Sequence, residues 1–71
     1  MKYIRDFDDR IVLFDARFDH KKISESLNMK PKSAGLVFCA DGFLVIDGGS
    51  ITLGISGLPD DITIIADQLM Q

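Results

Sequence analysis

Beyond Lys32 the chain has no lysine or arginine. All eight cations fall in residues 1–32 beside six carboxylates, a local balance of +2, whereas residues 33–71 carry five aspartates and −5. A chain so divided is not a uniformly basic nucleic-acid binder, and any contact with an anionic partner is left to the first half. Cysteine is almost absent too. The single Cys39 excludes a disulfide within the chain and argues for a reducing compartment, so the cytoplasm is the expected location. No apolar run approaches the ~20 residues of a membrane-spanning helix, and the N-terminal stretch lacks the apolar core of a signal peptide, so no membrane partner is expected. With one histidine and one cysteine there are too few soft ligands for a zinc site, and neither a metal nor a cofactor is expected.

What is present is apolar. Hydrophobic residues make up 46% of the 71, enough for one domain spanning 1–71 but near the size at which a single core barely holds a fold. With no disulfide to help, association with a second chain is the natural further support.

The punctuation predicts an α+β fold in ββαβββα order, a small antiparallel sheet of four to five strands with two helices packed mainly on one face. Residues 2–7 and 10–15 pair as a hairpin across Asp8-Asp9. Asp19 caps a helix over 20–29, with Ile23 and Leu27 one turn apart, and Pro31 stops it. A second helix starts around Pro59-Asp60-Asp61, where proline and carboxylates suit a first turn. Its buried stripe is read as Ile62, Ile65, Ala66 and Leu69, and it runs nearly to Gln71.

Residues 34–57 carry the most information. Asp41-Gly42 and Gly48-Gly49 are two-residue hairpin signals, because such turns need positive φ. The first turn pairs Ala40 with Phe43, Cys39 with Leu44, Phe38 with Val45 and Val37 with Ile46. The second pairs Ile46 with Ile51 and Phe43 with Gly54. Alternation then gathers Val37, Cys39, Leu44, Ile46, Ile51, Leu53 and Ile55 on a core face. Leu36, Phe38, Ala40, Phe43, Val45, Thr52 and Gly54 share the other.

That second face is apolar as well, which is unusual for an antiparallel sheet with one wet side. Three covers are open to it: one helix on each face, the N-terminal hairpin folded over it, or another chain. The last is the favoured expectation, with Leu36, Phe38, Phe43 and Val45 as the interface. Burying those four is worth about 6–12 kcal/mol. That is comparable to the ~4–15 kcal/mol lost in association, so strand-edge or polar contacts are needed in addition.

Catalytic chemistry is thin. Cys39 is expected in the core as a small apolar filler and His20 on the surface at a helix start. Asp41 and Asp47 sit at opposite ends of one strand, roughly 20 Å apart, too far for an acid–base pair. Asp6, Asp8 and Asp9 read as a solvated turn, lacking the glycine and distal glutamate of a calcium loop. Gly48-Gly49 is not a phosphate loop, because no Gly-Lys-Ser/Thr follows. Arg17, Lys21, Lys22, Lys30 and Lys32 form the one possible anion contact.

The expectation is therefore a non-catalytic protein-interaction module, working as a homodimer or with another protein. The alternatives are a small-molecule-binding regulatory domain and a weak nucleic-acid binder using the Lys21–Lys32 strip.

Overall fold

Asp6 makes the first turn. Its Oδ1 accepts the backbone N–H groups of Asp8 and Arg10, both at 2.9 Å, and Asp9 takes the left-handed region at φ 60°. Short carboxylate side chains tolerate that conformation, which explains how Asp8-Asp9 turns a hairpin without glycine. The turn joins β1 (Lys2–Asp6) to β2 (Ile11–Phe14). The computed structural model describes residues 1–70, and the expected approach of the last helix to Gln71 lies outside the described residues.

After β2, Asp19 caps the short helix α1 (His20–Ser26), accepting the Lys22 N–H at 3.3 Å. The expected helix over 20–29 is shorter than read, because Leu27 closes it and Asn28 turns left-handed at φ 53°. Then come β3 (Pro31–Ala40), β4 (Phe43–Asp47), two short strands β5 (Gly49–Ser50) and β6 (Ile55–Ser56), and α2 (Asp61–Leu69). The main sheet is antiparallel in the order β2-β1-β3-β4, and β5 pairs only with β6. The α+β class and the rough ββαβββα order are as expected.

The two helices lie on opposite faces of the sheet, not mainly on one. Successive side chains of a strand alternate, so Tyr3 and Ile4 mark the two faces. On the Tyr3 face Ile11, Val37 and Ile65 of α2 form one core, with Leu13, Leu44, Ile46 and Ile64 packed around it. On the Ile4 face Phe14 and Ala34 form the other, covered by Ile23 of α1, Met29, Leu53 and Ile55. One helix per face satisfies both apolar sides of β1 and of the first half of β3.

The second predicted hairpin is corrected. Gly48 has positive φ (70°), but Gly49 continues extended into β5, and the chain turns instead over Ser50–Gly54. Gly54 N–H donates to Ser50 O at 2.9 Å, and Ser50 Oγ accepts the Leu53 N–H at 3.2 Å. The pairings of Ile46 with Ile51 and of Phe43 with Gly54 do not form. Ile51 is fully exposed at this turn, while Leu53 and Ile55 pack on the Ile4 face, opposite to the one expected. The Thr52 hydroxyl donates to Asp19 Oδ1 at 2.7 Å and ties the turn to the start of α1.

The stripe of α2 is also rotated from the expected one. Asp61 and Ile65 are buried, whereas Leu69 is 59% exposed. Sequence hydropathy passes over Asp61 because a buried carboxylate is apolar in neither charge nor size.

Candidate interaction surface

Asp41 (φ 52°) and Gly42 (φ 82°) give the doubly left-handed turn that matches the twist of a tight hairpin. The β3–β4 register is as predicted, Ala40 opposite Phe43, Cys39 opposite Leu44, Phe38 opposite Val45 and Val37 opposite Ile46, with Leu36 opposite Asp47. Val37 exchanges both backbone hydrogen bonds with Met1, at 2.8 and 3.0 Å. Odd-numbered residues at this end of β3 therefore face β1, and Leu36, Phe38 and Ala40 face β4.

β3 is ten residues, about 33 Å, and its last three residues are exposed, as are Asp41, Gly42 and Phe43 after them. The hairpin outruns its cover. On the Ile4 face, α1 and the β5–β6 turn stop short of its far half, leaving Leu36, Phe38 and Phe43 at 38%, 46% and 73% exposure with Val45 half-buried. These are the four residues expected as an interface, and the fold brings them together on one side of one hairpin. The only charges within the two strands and their turn are Asp41, Asp47 and, at the far end of β3, Lys32.

Cys39 is exposed, against the expectation of a core filler. It has the parity of the core face but sits near the hairpin tip, two residues beyond Val37, the last residue of β3 that is buried in the core. His20 is buried, against the expectation of a solvated side chain. Its Nε2 donates to Gly35 O at 3.1 Å, and its ring meets Phe14 edge-on with centroids 5.5 Å apart. A carbonyl can only accept, so Nε2 carries the proton.

Of the five residues of the expected anion contact, two have carboxylate neighbours. Lys32 lies 3.7 Å from Asp9, Arg17 pairs with Asp15 at 3.4 Å and stacks over Phe18, and Lys21, Lys22 and Lys30 are exposed.

A second cluster lies on the opposite face of the sheet. Arg5 is buried and its guanidinium meets three carboxylates, Asp9 at 2.8 Å, Asp60 at 2.8 Å and Asp61 at 2.9 Å. Asp61, fully buried, also accepts from the Tyr3 hydroxyl, from Ser33 Oγ at 2.7 Å and from Leu58 N–H at 2.8 Å. Burial pushes the Asp61 carboxyl up, but the bonds from Tyr3, Leu58, Ser33 and Arg5 outweigh it and hold it below the usual carboxylate range. Burial, reinforced by the Asp61 bond, raises the Tyr3 phenol well above its ordinary value. Hydrogen bonds to Asp60 and Asp61 hold Arg5 firmly charged. Every polar atom in this cluster is matched, and among the described residues no buried side-chain polar atom is left without a partner. Sequence reasoning missed it. The available signal was Arg5 two residues after Tyr3, on the same face of β1 as that apolar ring, with Asp60-Asp61 as its natural counter-charge.

A groove of about 440 Å³ runs beside β2 between Arg10, Val12, Leu27, Met29 and Gln68. Its polar groups are already engaged: Arg10 Nε donates to Asp6 at 3.0 Å, and Gln68 bonds the Ile11 backbone. No helix among the described residues is long and apolar enough to cross a membrane. Comparison with protein-family models, with curated proteins and with solved structures gives no match.

Proposed function

We propose that this chain is a non-catalytic interaction module that works as a homodimer through the far half of the β3–β4 hairpin. The observation that carries the reading is the grouping of Leu36, Phe38 and Phe43, all substantially exposed, on one face of a hairpin that outruns its helices. Contiguous apolar patches of this kind mark contact surfaces, whereas scattered exposed side chains do not. The other polar clusters support a structural role for themselves: Tyr3, Arg5, Asp61 and His20 are each committed to internal hydrogen bonds. A cytoplasmic setting is part of the proposal, in keeping with the exposed free thiol.

Sedimentation across a concentration series tests it. The wild-type chain is expected to be dimeric at micromolar concentration. Phe38→Asp is expected to be monomeric and folded, since position 38 is open to solvent in the single chain. A wild-type chain that remains monomeric at hundreds of micromolar overturns the reading.

A further inference from the structure

The two edges of the main sheet are finished differently. On β2, the Ile11 N–H donates to Gln68 Oε1 at 3.0 Å and the Ile11 carbonyl accepts from Gln68 Nε2 at 2.7 Å. One side-chain amide thus takes the place of a neighbouring strand. Alternation leaves only Leu13 offering outward backbone groups there. On β4, Phe43, Val45 and Asp47 face β3, so the N–H and C=O of Leu44 and Ile46 point outward. Among the described residues no hydrogen bond uses them. β4 has no lysine, no proline and no bulge, three devices that blunt an exposed edge, and its one charge is Asp47 at its end.

We infer that this edge seats β4 of a second copy, antiparallel, about a two-fold axis through Val45. This rests on the homodimer reading and adds its geometry. The open groups are symmetric about Val45, so a second β4 presents the same groups in reverse order. Leu44 then exchanges both bonds with Ile46 of the other copy, and Ile46 with Leu44, giving four hydrogen bonds around a Val45–Val45 pair. A two-fold contact is the commonest way for identical chains to associate, because it closes on itself.

Charge selects this register over its neighbours. Centred on Val45, each Asp47 falls opposite a Phe43, and no two carboxylates meet. Centred on Leu44, each Asp47 falls opposite an Asp41, and like charges placed directly opposite destabilise a strand pair. Centred on Ile46, Leu44 falls opposite Gly48, where β4 has ended. On the Ile4 face the Val45 register sets Phe38, Val45, Val45 and Phe38 in one row across four strands. The two exposed patches become neighbours across the seam. That supplies the edge contact which the patch needs: Phe38 and Phe43 together expose roughly 200–300 Å² per copy, taking a full aromatic side chain as about 150–250 Å². A standard interface takes about 800 Å² from each partner.

Disulfide trapping in the full chain, in a Cys39→Ser background, reads the register directly. Paired residues that do not exchange hydrogen bonds have Cα atoms about 4.5 Å apart, within disulfide reach. Val45→Cys is therefore expected to give a covalent dimer on mild oxidation. Leu44→Cys is expected to stay reduced, since its two copies lie beyond the ~7 Å limit. Leu44→Pro removes one outward N–H and is expected to give a folded monomer, because edge strands tolerate proline on the solvent side. Should Leu44→Pro fail to fold, the cysteine pair still decides. A wild-type dimer in which Val45→Cys does not cross-link, or Leu44→Cys does so preferentially, overturns the edge geometry and leaves the homodimer reading standing. A wild-type monomer at hundreds of micromolar overturns both.

Discussion

Arg5 Nη1 donates to Asp61 Oδ1 at 2.9 Å, joining the central strand β1 to the first residue of α2 across 56 positions of sequence, with both side chains withdrawn from solvent. Ser33, opposite Arg5 on β3, donates to the same oxygen, so one carboxylate fastens two strands and a helix. Breaking a buried pair by removing one partner costs about 3–5 kcal/mol, because the other charge is left uncompensated. Asp61→Ala is expected to lose that much, a large share of the ~5–15 kcal/mol typical of a domain. Arg5→Met with Asp61→Leu removes both charges and is expected to recover part of the loss. Urea unfolding of the three chains measures it.

Acid acts on the same cluster and on the Asp6 turn. Asp6, Asp60 and Asp61 are held below the usual carboxylate range, Asp60 chiefly by the Arg5 bond. A carboxyl depressed in the folded state contributes stability above its unfolded value, about 3.9, and loses it as pH falls through the folded value. Stability is therefore expected to be nearly level from pH 7 to about 5 and to fall below about 4. Thermal melts across that range check the sign: stability rising as pH drops below 4 contradicts it. Asp61→Asn, with no carboxyl to protonate there, is expected to show a shallower decline.

The β3–β4 register was legible because Asp41-Gly42 declares its turn chemically and both strands alternate from it. The second turn was not, because Gly48-Gly49 carries the same signal without the same conformation. Only Gly48 turns left-handed. Gly49 serves close packing: a Cβ there would lie 2.6 Å from Ile55 O, so its lack of a side chain lets β6 approach. Periodicity cannot show a strand crossing from one layer to another, and that crossing moved Leu53 and Ile55 to the opposite face. The exposed apolar patch of Leu36, Phe38 and Phe43 was legible because sequence alternation marks an apolar surface directly. Arg5, Ser33, Asp61 and Gln68 were not, because partners 28 to 57 residues apart meet only through topology.

Gln68 guards the β2 edge. Gln68→Ala leaves the Ile11 N–H and C=O without their partners, and two ordinary hydrogen bonds are worth about 1–3 kcal/mol together. The expected outcome is that loss of stability, with faster aggregation on heating, since a second edge is now open. Light scattering during a thermal ramp reads the second effect, and scattering equal to that of the wild type counts against the guarding role.

Cys39 offers a direct check on how far the hairpin projects. Being exposed, it is expected to react with a thiol reagent in the folded chain at a rate close to that in denaturant. Cys39→Ser is expected to change stability by no more than about 0.5 kcal/mol, as at other surface sites. Reaction only after unfolding would place the thiol in the core.

Association itself predicts a concentration-dependent melting temperature, because a partner that binds only the folded chain stabilises it by mass action. Each tenfold rise in dissociation-constant-normalised concentration is worth about 1.4 kcal/mol once binding is saturated, since stabilisation grows as RT ln(1 + [L]/Kd). For a domain of 60–100 residues, 1 kcal/mol shifts the melting temperature by about 4–8 °C. The wild-type midpoint is therefore expected to climb by several degrees per decade of protein, and that of Phe38→Asp to stay level. The charge at position 38 meets water in the single chain and so leaves folding intact, but in the pair it stands in the apolar patches that the two copies place side by side. If both chains melt at concentration-independent temperatures, the exposed hairpin is not a self-contact.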